Sequence, residues 1–331
     1  MKKILAITIM ICLLFSVVGC SNGSDNSSSE STNKSSGTQI FTMGTGDVGG
    51  TLYPVGSAIA KAINDTLPEY KVNVETTSGS PDNARMTGSG ELDLGLVTGD
   101  VASMAMNGKG AFEGKAVPKI RALFATFPSV SMWMSLDESE VENVEDLKGE
   151  KVSVGMAGSA AEVAANIIFT NAGFKYPDDL DVQYLGVGEG TDAVRDGHVV
   201  THHAFGGYPQ GGMLDLAETK NAHLLAYSDE LLNKIVEANS YYYKATVPAG
   251  TYKGQDKDMQ TFGVKCLFIA SEDMDEETAY QITKAAWEKI EDLKAGHSSL
   301  SAMTEDFVAS DLPIPLHPGA ERYWREIGIL K

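Results

Sequence analysis

Met43-Gly-Thr-Gly-Asp-Val-Gly-Gly-Thr-Leu-Tyr-Pro-Val-Gly56 follows the β-type run Gln39-Ile-Phe-Thr-Met43 and precedes the helical run Ser57-Ala-Ile-Ala-Lys-Ala-Ile-Asn64. The reading is a strand, a glycine-rich turn and an amphipathic helix. Gly44, Gly46, Gly49 and Gly50 let a ligand approach the main chain closely. The helix start points unpaired N–H groups and a partial positive charge at the same space, which suits an anionic or carboxylate-bearing small molecule. A tight turn with no ligand would read the same way. No Gly-Lys-Ser/Thr follows, so the stretch is not a P-loop, and the glycine spacing does not fit a dinucleotide fingerprint.

Working outward, the same grammar recurs. Lys71–Thr76 alternates as a strand and runs into Ser78-Gly-Ser-Pro-Asp-Asn83, where Ser80 is placed to cap a helix beginning near Pro81. Glu91–Val97 is a strand followed by Thr98-Gly-Asp100 and a helical stretch, and Ile120–Ala125 and Val130–Met134 read as two more strands. Lys151–Gly155, the turn Met156–Ala161 and the helical run Glu162–Phe169 repeat the opening unit. Asp181–Leu185, a helix near Thr191–Arg195, Val199–Phe205 and the turn Gly206–Gly212 follow. Thr261–Ala270 is apolar and β-type, and the chain ends in helices over Glu276–Leu293 and near Gly319–Glu326. Strands alternating with helices predict α/β layers on a largely parallel sheet. Ligands of such folds sit at the strand C-terminal ends, where these turns collect.

At 331 residues the chain is long enough for two cores. Its net charge of −19 argues against a nucleic-acid partner, which needs a basic face. Lys2 and Lys3 precede an apolar run from Ile4 to Val18, closed by Val17-Val18-Gly19-Cys20. This predicts an export signal over residues 1–19, with Cys20 lipidated as in a bacterial lipobox. Losing Lys2 and Lys3 with the signal moves the charge from −19 to −21. Residues 20–38 are rich in Ser, Asn, Gly and Thr and read as a flexible tether between a membrane anchor and the folded body. Of the three cysteines, Cys12 leaves with the signal, Cys20 is the anchor, and Cys266 reads as a small buried hydrophobe.

Seven segments occur in a recognisable order: Gly46–Gly56, Ser78–Asn83, Gly90-Glu-Leu-Asp-Leu-Gly95, Asp146–Gly155, Gly206-Gly-Tyr-Pro209, Val247–Gly254 and Leu316–Gly328. Together they resemble the TAXI family of TRAP-transporter solute-binding proteins, from Ile40 to the C-terminus. The resemblance implies a two-lobed, type II periplasmic-binding-protein fold that closes on a solute and delivers it to an ion-driven membrane permease. It implies small organic acids or acidic amino acids such as glutamate as solutes, and no cofactor. Lobe I would comprise 39–131 and 253–331, and lobe II 132–252. Carried over by residue, the resemblance places Gly46, Gly50, Thr51, Tyr53, Ser80, Asn83 and Asp100 of the first lobe at the solute. Ser159 with its neighbours, Tyr208 and Pro209 would come from the second.

Three departures from the family pattern stand out, and the first two put the solute, not the fold, in question. Leu52 replaces the first of two paired aromatics, and Gly158-Ser-Ala-Ala161 stands where the family favours Gly-Ser-Gly-Thr. His203-Ala-Phe205 stands where Asp-Ala and aromatics are usual. A different ligand, or backbone N–H groups at Ala160 and Ala161, would answer the missing Thr hydroxyl. His198, His202 and His203 lack ligand spacing for a metal, adjacent residues of a strand pointing to opposite faces. Arg85, Arg121 and Arg195 are candidates for a bidentate carboxylate clamp, Arg85 the best placed. Tyr241–Tyr243 are expected to pack or line the second lobe. The rival classes are an enzyme, with Asp100 as its one obvious cleft carboxylate, and a tethered sensor reporting to a membrane kinase.

Overall fold

A computed structural model describes residues 37–331. The export signal expected at 1–19, Cys20 and the tether up to residue 36 lie outside the described residues. The strands are β1 Gln39–Gly44, β2 Tyr70–Glu75, β3 Leu94–Thr98, β4 Ile120–Leu136, β5 Lys151–Ser153, β6 Asp181–Gln183, β7 Thr201–Gly206, β8 Ala222–Leu224, β9 Tyr243–Val247 and β10 Met259–Ser271. The α-helices are α1 Leu52–Thr66, α2 Ser80–Ser89, α3 Gly99–Asn107, α4 Ala160–Asn171, α5 Val187–Arg195, α6 Gly211–Thr219, α7 Asp229–Ala238, α8 Glu276–Glu288, α9 Ile290–Gly296, α10 Glu305–Val308 and α11 Pro318–Glu326.

The strands run in the order β2-β1-β3-β10-β4-β7-β5-β6, with β8 on β4 and β9 on β10. Each end is parallel: β1 pairs with β2 and β3, and β5 with β6 and β7. The middle is antiparallel, because β10 runs against β3, β4 and β9, and β4 against β7 and β8. The sheet is therefore mixed, not largely parallel. The expectation failed because β4 and β10 carry the chain between the two parallel ends and run opposite to their neighbours.

β4 corrects a second expectation. Ile120–Ala125 and Val130–Met134 are one strand of 17 residues that passes through Pro128. Proline cannot donate to a ladder, so it reads as a break in sequence. Here it lies just before β4 exchanges neighbours: Ile120 to Val130 pair with β10, and Val130 to Ser135 pair with β7.

The buried apolar side chains fall into groups that divide along these two crossing strands. One spans Val130 to Val264 and is centred on Trp133, Phe169 and Phe262. The others gather residues up to Phe127 and from Cys266 on, together with Ala160, among them Phe41, Ile59, Phe124, Phe268 and Trp324. Cys266 is buried in β10, and burial pushes its thiol up to about 12. It behaves as a core residue, not a nucleophile.

Helix α1 begins at Leu52, five residues earlier than the apolar periodicity suggests, and takes Tyr53 and Pro54 out of the turn. Proline fits the first turn, whose N–H groups lack intrahelical partners. The helix lies close on β1: a Cβ on Gly56 would meet Thr45 Cγ2 at 2.4 Å. Among the described residues, no helix is long and apolar enough to cross a membrane.

Candidate functional site

Helix starts that follow strand ends define the site. α1 leaves the turn after β1, α2 follows β2, α4 follows β5 and α5 follows β6. Thr51 and Leu52, Gly79 and Ser80, Ser159 to Ala161, and Gly186 and Val187 all line one cavity of about 80 Å³. A cavity needs about 10–15 Å³ to hold a single water, so this one has room for more than one. Gly46, Asp47 and Thr98 complete one wall, and Met156, His203, Phe205, Gly206 and Gln210 complete the other. Leu52 of one wall and Ala204 of the other pack on different core groups, so the cavity lies between them.

Among the described residues, no lysine or arginine lines the cavity. Its positive potential comes from backbone. Each helix start carries roughly half an elementary charge, and Asp47 is the one carboxylate of the cavity lining. That carboxylate is already engaged. Asp47 Oδ2 accepts from Val187 N at the start of α5 at 2.8 Å, and Oδ1 accepts from Gly49 N at 3.2 Å. Asp82 and Glu162 stand in the first turns of α2 and α4, outside the lining, while the first turn of α1 carries no acidic residue.

Gly46, Gly50, Thr51, Ser80, Ser159 and Ala160 line the cavity, though several groups are committed differently from the expectation. Gly50 N–H donates to Asp47 O at 3.1 Å, so it closes its own turn. The Thr51 hydroxyl donates to Gly207 O at 2.9 Å, joining the two walls. Ser80 does not cap α2; Gly79 holds that position at φ 105°, and Ser80 Oγ accepts from Thr98 N at 3.1 Å. Ser159 is a cap: its Oγ accepts from Glu162 N at 3.3 Å at the start of α4, leaving its hydrogen to donate.

The structure sets the other five away from the cavity wall. Tyr53 is half-buried on α1. Asn83 is buried and donates to Thr45 O at 2.6 Å and Leu96 O at 2.8 Å, tying the turn after β1 to β3. Tyr208 and Pro209 stand beside the wall, where Tyr208 O accepts from Ser299 Oγ at 3.1 Å. Asp100 is wholly buried and accepts from Tyr242 OH at 2.7 Å, a bond between the two core groups. Burial pushes its carboxyl above the usual range. The enzyme alternative leaned on Asp100 as a cleft acid or base, and Asp100 does not face the cleft. The arginines are spent elsewhere: Arg85 on Asp82 and over Phe112, Arg121 on Glu272, Arg195 on Asp192 and Asp215.

Reading the sequence alone missed Asp47, Val187, His203 and Gln210. Their signals were local: Asp47 lies inside the glycine-rich turn, and His203 alternates with Phe205 on a strand ending at Gly206. Both histidines are buried. Desolvation takes His202 down to about 4 and His203 to about 3, so both are neutral. Among the described residues, no cluster of His, Cys, Asp and Glu is arranged to hold a metal.

Comparison with solved structures gives likeness of fold. A protein of Bordetella bronchiseptica RB50 is 15% identical over 88% of this chain and 81% of its own, with a TM-score of 0.51. The alkanesulfonate-binding protein SsuA of Xanthomonas axonopodis pv. citri is 16% identical over 88% of this chain and 85% of its own, at 0.49. A putative L-cystine ABC transporter protein of Listeria monocytogenes is 17% identical over 80% and 97%, also at 0.49. The mixed α/β architecture, with its cleft between two wings of a curled sheet, is the type II periplasmic solute-binding fold. The NMT1-like family model matches residues 43–328, and the chain belongs to that family.

Proposed function

We propose that this protein is an extracytoplasmic solute-binding receptor, of the TAXI type that serves TRAP transporters. It would capture a small carboxylate-bearing solute, a glutamate-like amino acid or an organic acid, and pass it to a membrane permease. The observation that carries the reading is the convergence of four helix starts on a small cavity that, among the described residues, no lysine or arginine lines. Such a site holds a carboxylate through N–H groups and the helix dipoles. The NMT1-like family match over 43–328 and the type II fold support a solute-binding receptor, and the TAXI type rests on the resemblance of the seven sequence segments.

In this reading 39–131 with 253–331, and 132–252, are lobes that close on the solute, and a lipid on Cys20 holds the receptor at the membrane. Closure is driven by the difference in the solute's affinity for the closed and open forms. Native mass spectrometry of the chain from Ser21 onward, against a mixture of amino acids and organic acids, tests the proposal. Retention of an acid supports it. Retention of only cationic or apolar compounds contradicts it.

A further inference from the structure

Gln210 holds the N-cap position of α6, yet its side chain caps nothing. A polar N-cap side chain ordinarily turns onto the N–H groups of the helix that follows. Here only the backbone is committed. Leu214 N–H donates to Gln210 O at 2.9 Å, and Gln210 N–H donates to Tyr252 OH at 3.1 Å. These bonds hold Gln210 in place without using its side chain, which lies on the cavity wall with the residue only 3% exposed.

The side-chain amide is unpaired at both ends. Oε1 makes no hydrogen bond and is closed off from water. Nε2 makes none either, but it is the end that stays open. It lies beside Gly206, the last residue of β7 and itself part of the wall. A Cβ on Gly206 would meet Nε2 at 2.6 Å and Thr51 Oγ1 at 3.2 Å, so the glycine gives the amide its place near the start of α1. Asp47 turns its oxygens to Val187 N and Gly49 N instead of to this amide. An amide so buried and without a partner is costly and rare in folded proteins. Nε2 carries two hydrogens and can only donate, so what satisfies it is an acceptor.

We infer that Gln210 is a specificity-determining residue of the cavity: its side-chain amide donates from Nε2 to an acceptor oxygen of the bound solute. The inference rests on the proposed solute-binding role and deepens it. A donor at this point accommodates a carboxylate or carbonyl oxygen and leaves an ammonium or amide N–H without a partner. The amide carries no charge, so it selects for an oxygen without relying on a cationic side chain.

The test uses the chain from Ser21 onward, with 15N in its glutamine side chains and the Gln210 amide assigned by its loss in Gln210→Met. Calorimetry with L-glutamate, succinate and 2-oxoglutarate identifies the acid that the wild type binds. When that acid is added, the inference expects the Gln210 amide hydrogens to move downfield in 1H–15N NMR. Gln210→Met, similar in length but without a donor, should bind the acid about tenfold more weakly. Gln210→Glu at pH 8, which sets an ionised acceptor where the donor was, should bind it more weakly still. Thermal scans without solute should find Gln210→Met no less stable than the wild type, because no protein group pairs with the amide. Unmoved amide hydrogens, or wild-type affinity in both variants, overturn the inference and leave the carboxylate reading in place. A loss of affinity matched by a lower Tm in Gln210→Met overturns it too, by giving the residue a structural role. A wild type that binds none of the three acids counts against the carboxylate reading of the cavity and removes the donor role with it.

Discussion

Asp47 Oδ2 accepts the backbone N–H of Val187 at 2.8 Å, across 140 positions of the chain. The residue sits in the glycine-rich turn before α1, and its carboxylate closes the start of α5 on the opposite wall of the cleft. A carboxylate at a helix start contributes about 1 kcal/mol in a half-buried setting. If the walls are lobes that close on a solute, as proposed, the bond forms only in the closed form and favours it.

Asp47→Ala should therefore shift the open–closed equilibrium of the solute-free protein by about 1 kcal/mol, about fivefold in population. Small-angle scattering would register a larger radius of gyration than in the wild type. An unchanged radius would mean that other bonds hold the walls together.

Asp100 gives a stability prediction with a sign. Burial raises its carboxyl above the ordinary 3.8, so ionisation costs the folded state more than the unfolded one. The penalty is complete above the folded value and disappears as pH falls below the unfolded one. Oδ2 accepts from Tyr242 OH and Oδ1 from Val101 N, and Asn can keep only one of the two. Asp100→Asn removes the ionisation and with it this pH dependence, so its Tm relative to the wild type should be higher at pH 7 than at pH 4. Calorimetric scans in which that difference is the same at both pH values would contradict the account.

The two buried histidines act in the opposite direction. Their folded values, about 4 for His202 and about 3 for His203, lie below the ordinary 6.5. The stability they contribute is complete above 6.5 and is lost as pH falls from there through 4 and 3, because the unfolded chain takes up protons that the fold refuses. Urea midpoints should fall between pH 7 and pH 5, by on the order of 1 kcal/mol per pH unit for each histidine below pH 6. His202→Asn should flatten the curve by about half. A flat wild-type curve over that range would show that the histidines are not neutral and buried together.

Much of the fold was legible because its signals are local. The strand, glycine turn and helix around Gly46 to Gly56 are written in spacing and composition, and the same unit recurs before α4. The mixed sheet was not legible: the directions of β4 and β10 depend on which distant strands they join, and Pro128 made one strand look like two. In the site, residues at helix starts such as Thr51, Ser80 and Ser159 came from the family resemblance, with which the turn chemistry agreed. Their hydrogen bonds could not be read from either, since Ser80 and Thr51 are claimed by Thr98 N and Gly207 O from far along the chain. Asp100 and Asn83 have the right chemistry for a cleft but serve to join distant backbone and core. His203 was hidden by its burial, which only the pairing of β4 with β7 reveals.

The central claim is that backbone at helix starts, with no cationic side chain, holds a carboxylate in this cleft. Calorimetric titration tests it most directly, using the chain from Ser21 onward after unfolding and refolding to strip carried solute. Glutamate, 2-oxoglutarate and succinate would each be compared with its neutral amide. The account predicts micromolar or tighter binding of at least one acid, and a loss of at least about 2 kcal/mol for the matching amide. Silence across the acids, or equal affinity for the amide, would contradict it.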